Sequence, residues 1–177
     1  DHVDLYALHN ASPEALADEA LLRTLEDLRT SGKVRAIAVA SDGTAAEAAL
    51  AQARCVDVVQ CALQVATPAL VSRAAQAGMG VITHSVFGLN TSPEDITQRI
   101  AASPDLQALH AAAGAPSPAA LRLMAARLRN PGGVTLCSMM SSAHLAANAA
   151  DFALPLSSRT AELARLLSQG APPQPTA

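Results

Sequence analysis

The chain has 177 residues, half of them hydrophobic and 15% charged, enough for one domain with a sizeable core. Its net charge of -3, with no Trp, one Tyr and two Phe, excludes an electrostatic nucleic-acid partner, which needs a basic patch and stacking rings. Cys55, Cys61 and Cys137 show no CxxC spacing, so small buried thiols are expected, not a disulfide framework or a metal site. No apolar run is long enough to span a bilayer and no signal peptide precedes the fold, so a soluble, cytoplasmic protein without a membrane partner is expected. The chain opens Asp1-His2-Val3 with no Met, and a strand starts almost at once, which is how a fragment begins.

Val3 to Leu8 is mostly apolar and predicts a strand covered on both faces, ending at His9. Ser12-Pro13-Glu14 signals a helix start, and leucines at helical spacing carry that helix to Leu28, where Ser31-Gly32 stops it. Val34 to Ala40 is the second strand. Thr44-Ala45-Ala46-Glu47 is a capping-box pattern that opens a helix to about Arg54. Val56 to Cys61 is a third strand, Pro68 to Ala77 a helix closed by Gly78, and Gly80 to His84 a fourth strand. An irregular stretch from Ser85 to about Pro93 precedes helices over Pro93 to Ala102, Pro104 to Ala113 and Pro118 to Leu128. Asn130-Pro131-Gly132-Gly133 breaks the chain before a fifth strand, Val134 to Cys137. Ser141-Ser142 caps a helix to about Ala150, and a last helix covers Ser158 to Ser168. The Pro-rich tail, residues 169–177, is expected to be disordered, leaving 1–168 as the folded domain.

Strand alternating with helix implies parallel pairing through crossover connections. An open doubly wound sheet and part of a (β/α) barrel both fit, and the absence of GxGxxG at any helix start favours the barrel. In such folds the chemistry lies at the C-terminal ends of strands. Those ends carry His9-Asn10, Ser41-Asp42, Gln60, His84-Ser85 and Ser138. For Ser41, Asp42 and Ser138 a turn or helix-cap role competes with a functional one. His9 ends an apolar strand where no turn requires a histidine. Gln60 lies inside an apolar strand, where a structural hydrogen bond competes with ligand binding.

At these residues the chain resembles the aldo/keto reductase family. Asp1-His2-Val3-Asp4-Leu5-Tyr6-Ala7-Leu8-His9 is similar to the family's D-Y-[IV]-D-L-Y-x-[IL]-H strand. Leu25 to Leu28 with Ser31-Gly32-Lys33-Val34-Arg35-Ala36-Ile37 resembles L-x-x-L-x-x-x-G-K-[VI]-R-x-I. Val58-Val59-Gln60 resembles the V-x-Q strand, Gly80 to Ser85 the G-[VI]-x-[VA]-x-[YS]-S-P-L-G segment, and Ser141 to Asn148 the closing S-x-x-x-[LI]-x-x-N helix start. Order and spacing hold from residue 1 to about 168. The resemblance implies a (β/α)8 barrel of TIM type, present as an incomplete barrel of about five βα units, strands four to eight. A whole barrel takes roughly 250 residues.

The resemblance also implies hydride transfer between a nicotinamide cofactor and a small carbonyl or alcohol substrate. Of the family's catalytic Asp, Tyr, Lys and His, only the His is matched, by His9. Tyr6 lies three residues before His9 and faces the other way, and Lys33 precedes its strand, so neither replaces the missing donors. By position, Ser41, Asp42 and Gln60 match residues around the nicotinamide carboxamide, and His84 matches a residue stacked on the ring. Ser85 and Phe87 fall near the pyrophosphate, and Ser138, His144 and Asn148 near the adenosine phosphate and adenine. Asp42 stands where the family has Asn, Val86 where it has Pro, Ser138 at an often basic position and His144 at an often Arg one. A 2′-phosphate prefers a fixed positive charge, which His144 supplies only in part. NADP(H) is the expected cofactor, with NAD(H) the alternative. The reading is thus a fragment of an NAD(P)-dependent aldo/keto reductase, inactive as given for want of the catalytic Tyr, Lys and Asp. The alternative is a non-catalytic homologue acting as a cofactor-sensing or protein-interaction subunit. Open barrel edges further predict self-association.

Overall fold

Val-, Ile- and Ala-rich runs alternate with Leu- and Ala-rich segments of helical spacing, and the computed structural model, which describes residues 1–52, 54–88 and 92–168, follows that alternation. The elements are β1 (Val3–His9), α1 (Glu19–Thr30), β2 (Val34–Ala40), α2 (Thr44–Leu50), β3 (Val58–Ala62), α3 (Pro68–Gln76) and β4 (Gly80–His84). There follow α4 (Pro93–Ala101), α5 (Pro104–Ala112), α6 (Pro118–Arg129), β5 (Val134–Thr135), α7 (Ser142–Ala153) and α8 (Ser158–Ser168). The tail from residue 169, expected to be disordered, lies outside the described residues, as do 89–91 of the stretch after β4.

Two compact units divide the chain: Asp1–His84 with Arg129–Leu136, and Ser85–Leu128 with the chain from Cys137. The first holds a five-stranded sheet in the order β1-β2-β3-β4-β5, with every pair parallel. Strand order equal to chain order, with a helix crossing between strands, is the arrangement of an arc of a (β/α) barrel. In a parallel sheet alternate residues share a face. Leu8, Val39, Val59, Cys61 and Val81 share one face and pack on Leu16, Leu22, Ala46, Ala49, Leu70 and Ala74 from the helical layer. The opposite face carries His9, Ala40, Gln60, Ile82 and Val134 in one row, since each is the register partner of the next. One position further on, Ala62 and His84 are partners on that face.

At the ends of β2 and β3 opposite the His9 row, a charged network replaces part of the ladder. Asp57 Oδ2 accepts the Ile37 backbone N–H at 2.8 Å and pairs with Arg29 Nη1 at 3.2 Å. Arg29 Nη2 donates to the Arg54 carbonyl at 3.1 Å, and Arg54 pairs with Glu19 at 2.8 Å. One chain of contacts thereby ties α1, β2, the turn after α2 and β3.

The second unit is helical. Ile96, Leu121, Met124, Leu163 and Leu167 form its core. Arg99 donates to the Leu166 and Leu167 carbonyls, both at 2.8 Å, and so satisfies orphan acceptors at the end of α8. Ser92 and Asp95 form a reciprocal capping box on α4.

The structure departs from the sequence reading at several boundaries. Ser12 opens no long helix: its hydroxyl accepts the Ala15 N–H at 3.2 Å at the head of a 3-10 turn, Ala15–Ala17, whose N-cap is Glu14. The cap of α1 is Asp18, which accepts the Ala20 N–H at 2.8 Å and directly precedes the leucine repeat. No capping box forms at Thr44: Gly43, at φ 59°, takes the cap position, and α2 stops at Leu50, short of Arg54. β3 starts two residues late, at Val58: the Val56 N–H still belongs to the turn after α2, donating to the Gln52 carbonyl at 2.9 Å. β5 covers only Val134–Thr135. β1 is not covered on both faces. Only Leu5 and Leu8 are half-buried and the rest is exposed, because β1 is the edge strand with β2 as its one neighbour.

Candidate functional site

Parallel strands all present their C-terminal ends on one edge, so whatever follows each strand converges there. Along that edge in the first unit stand His9, Ser41-Asp42, Gln60 and His84. His9 ends β1 with its side chain exposed, and Asn10 turns the chain away at φ 53°, its N–H donating to the Ala40 carbonyl at 2.8 Å. His9 and Gln60 occupy the same row two strands apart, about 10 Å between backbones at the usual strand spacing. Gln60 is half-buried, and its amide makes no hydrogen bond within the described residues. His84 closes β4, half-buried, and its carbonyl accepts the Leu63 N–H at 2.9 Å.

Ser41 and Asp42 have structural partners. Ser41 is buried, its hydroxyl donates to the Ala11 carbonyl at 3.1 Å, and its N–H donates to the Gln60 carbonyl at 3.0 Å. Asp42 Oδ1 accepts the Ala62 N–H at 2.6 Å, which staples the exit of β2 to the last residue of β3. The hydroxyl proton of Ser41 is thus committed to Ala11, and one carboxylate oxygen of Asp42 to Ala62. Burial first, then the nearby charge of Asp42, pushes the Cys61 thiol up to about 11. Burial also raises the thiols of Cys55 and Cys137, and all three cysteines are free.

The remaining candidates belong to the second unit. Ser85 is exposed at φ 58°, a left-handed conformation costly for a residue other than Gly. Phe87 lies in the following 3-10 turn. Its carbonyl accepts from Arg122 Nη2, and its ring stacks 5.5 Å from that guanidinium. Ser138 is exposed in the extended lead-in to α7. His144 and Asn148 stand one turn apart on α7, hence on one face, and the His144 N–H donates to the Ser141 cap at 3.2 Å.

Sequence reasoning misses Arg122, Asp57 and Arg29. Arg122 is the informative miss: an arginine inside the apolar run Ala120-Leu121-Arg122-Leu123-Met124 has to find a carbonyl or carboxylate once buried. Burial lowers its pKa. Among the described residues, no group of three His, Cys, Asp or Glu side chains is placed to hold a metal, and no helix is long and apolar enough to cross a membrane.

The fold and the polar edge define a parallel βα protein of the barrel class. The sequence profile of the aldo/keto reductase family matches residues 1–166, and the chain belongs to that family. No curated protein matches the sequence. Among solved structures, an aldo-keto reductase from Bacillus halodurans in its holo form is 16% identical with a TM-score of 0.69, over 97% of this chain and 62% of that one. A thermostable aldo-keto reductase, Tm1743, in complex with the inhibitor epalrestat is 21% identical with a TM-score of 0.70, over 94% of this chain and 60% of that one. An aldo/keto reductase from Brucella melitensis is 19% identical with a TM-score of 0.65, over 94% of this chain and 62% of that one. The chain therefore spans less than two thirds of the length of these structures, and its likeness to them is one of fold.

Proposed function

We propose that this chain carries the nicotinamide-binding edge and the substrate-orienting histidine of an NAD(P)-dependent oxidoreductase acting on small carbonyl compounds or alcohols. The observation that carries the reading is the alignment of His9 and Gln60 in one row, with Ser41, Asp42 and His84 along the same strand ends. The donor and acceptor inventory fits a primary carboxamide. Such a group brings one acceptor oxygen and two N–H donors. Ser41 and Asp42 are left to accept, and the Gln60 amide supplies a donor. A bound nicotinamide would supply hydride exchange at this edge. His9 would hold the substrate oxygen by an imidazole hydrogen bond. Ser85, Phe87, Ser138, His144 and Asn148 are proposed contacts for the phosphates and adenosine, with NADP(H) the expected form and NAD(H) the alternative.

The chain by itself is expected to give no turnover. Its single tyrosine, Tyr6, shares a row with Ile37 on the helix-facing side, and its single lysine, Lys33, immediately precedes β2 at the opposite end. No Tyr–Lys proton-donor pair can be assembled from them. The departures at Asp42, His84, Ser138 and His144 favour a second reading, a non-catalytic homologue that senses the cofactor or docks a partner; an intact Tyr and Lys upstream would favour the enzyme. Titration with NADPH and NADH, followed by nucleotide fluorescence, tests the site: saturable binding lost in Gln60→Ala supports it. Aldehyde reduction by the chain well above a His9→Ala control would overturn the claim of inactivity. The exposed apolar residues Val3 and Tyr6 on β1 and Val134 on β5 support self-association through the two sheet edges.

A further inference from the structure

Asp42 follows the buried Ser41 at the exit of β2, and its side chain is held by the Ala62 N–H at 2.6 Å. Ala62 is the register partner of His84 and lies two residues beyond Gln60 on the same face. The carboxylate is therefore fixed at one place on the edge that carries His9, Gln60 and His84. Its charge reaches the sheet, because it adds to burial in raising the Cys61 thiol to about 11. Among the described residues Asp42 has no ion-pair partner: the ion pairs of the first unit use Asp4, Glu19, Glu47 and Asp57. One cation stands near the neighbouring strand exit, Arg129, which donates to the Leu63 carbonyl at 3.3 Å.

We infer that this edge holds the oxidised, cationic form of a nicotinamide more tightly than the reduced, neutral form, and that Asp42 sets the bias. The inference rests on the reading of the edge as a nicotinamide site. The two cofactor forms differ by one positive charge on the ring. A carboxylate fixed nearby attracts the cation and gains nothing from the neutral ring. Asparagine keeps the shape and the oxygen that accepts from Ala62; it removes the charge and turns the second oxygen into an NH2 donor, a change that the oxidised and reduced carboxamides feel alike and that leaves the ratio of their affinities to report the charge. Asp42 is exposed, so solvent screens the attraction, and the expected change in a binding constant is at most about fivefold. In a complete enzyme, tighter binding of the oxidised ring stabilises the NAD(P)⁺ side of the bound equilibrium, so the bias favours carbonyl, NAD(P)H and a proton going to alcohol and NAD(P)⁺. The hydride leaves the reduced ring for the carbonyl carbon, and the carbonyl oxygen takes a proton from an acid that the rest of the enzyme supplies.

Equilibrium dissociation constants for NADP⁺, NADPH, NAD⁺ and NADH, measured by calorimetry on the wild-type chain and Asp42→Asn at pH 8, test it. The ratio Kd(oxidised)/Kd(reduced) is expected to rise about fivefold in Asp42→Asn for both the phosphorylated and the unphosphorylated pair. In the wild type alone, the ratio is expected to rise with added salt, which screens the same attraction without any substitution. A ratio within twofold of wild type, with both forms bound, overturns the role of Asp42 and leaves the cofactor site standing. Binding by the wild type that Asp42→Asn abolishes for both forms, with the Ala62 amide still protected from exchange, also overturns the bias, since Asp42 would then be a general contact. No binding of any of the four to the wild-type chain overturns the cofactor reading itself and this inference with it.

Discussion

Asp57→Ala is the sharpest test of what holds the strands in register. The Asp57 carboxylate does two things: it accepts the N–H of fully buried Ile37 at 2.8 Å, and it pairs with Arg29 at 3.2 Å. A hydrogen bond from a buried amide to a charged acceptor contributes about 1.5–3 kcal/mol. The Arg29 pair has side-chain exposures of 31% and 41%, so solvent screening limits it to about 1 kcal/mol or less. Together they put Asp57→Ala at about 3 kcal/mol, or roughly 6–12 °C in Tm for a chain of this size. Asp57→Asn keeps an acceptor for Ile37 and is expected to lose only about 1 kcal/mol. Arg29→Ala leaves the Ile37 bond intact and is also expected near 1 kcal/mol. Urea unfolding followed by circular dichroism gives the stabilities, and amide exchange at Ile37 gives the local effect. The reasoning is refuted if Asp57→Ala falls within about 0.5 kcal/mol of wild type, or if Ile37 exchanges at the same rate in both.

Cys61, with its thiol raised to about 11, is expected to resist alkylation at pH 8 until the chain unfolds. Because the folded state holds the protonated thiol, this contribution is fully present below the unfolded value, near 8.5–9. It is lost as pH climbs through about 11, and alkaline titration of Cys61→Ala is expected to show a shallower fall in stability over that window. Gly133→Ala would place a Cβ 2.2 Å from the buried Asn130 side chain, whose amide donates to the Val81 carbonyl at 3.0 Å. Displacing that side chain is expected to cost about 1–3 kcal/mol by urea unfolding, and an unchanged midpoint would contradict it. Arg122→Met leaves the Phe87 carbonyl without its guanidinium and removes the ring contact, for an expected loss of about 1–3 kcal/mol and faster proteolysis near Phe87. Sedimentation of the chain is expected to show concentration-dependent association that Tyr6→Lys on the edge strand weakens; a monodisperse monomer would contradict it.

Element type is legible in the sequence because the two periodicities hardly overlap. Val34 to Ala40 and Gly80 to His84 are short, apolar and bounded by turn residues, and both strands fall where the pattern puts them. Boundaries are less legible where two residues can do one job. Ser12 and Asp18 are both acceptable caps, and Asp18 wins because it directly precedes the leucine repeat. Exposure of β1 cannot be read from its own residues, since an apolar strand has the same composition in the middle of a sheet and at its edge. At the candidate site, the positions of His9, Gln60 and His84 follow from strand ends alone. The commitment of Asp42 to Ala62 does not, because the bond joins two strands through a backbone atom, and backbone atoms leave no mark in the sequence. The network of Arg29, Asp57 and Ile37 is hidden for the same reason.

Because the strands lie side by side in the order of their synthesis, the sheet can lengthen as the chain emerges, each new strand finding the one made just before it. Local pairing of this kind lowers the barrier to folding. The last addition differs: β5 must wait for α4, α5 and α6, then docks through only two register pairs, Ile82 with Val134 and Thr83 with Thr135. Doubling the length of a closing loop costs only about 0.6 kcal/mol, so the delay itself matters little. The short pairing matters more. The late end of the sheet is the place where another strand, from this chain or a neighbour, would compete during folding, and it is where a nascent chain most needs protection.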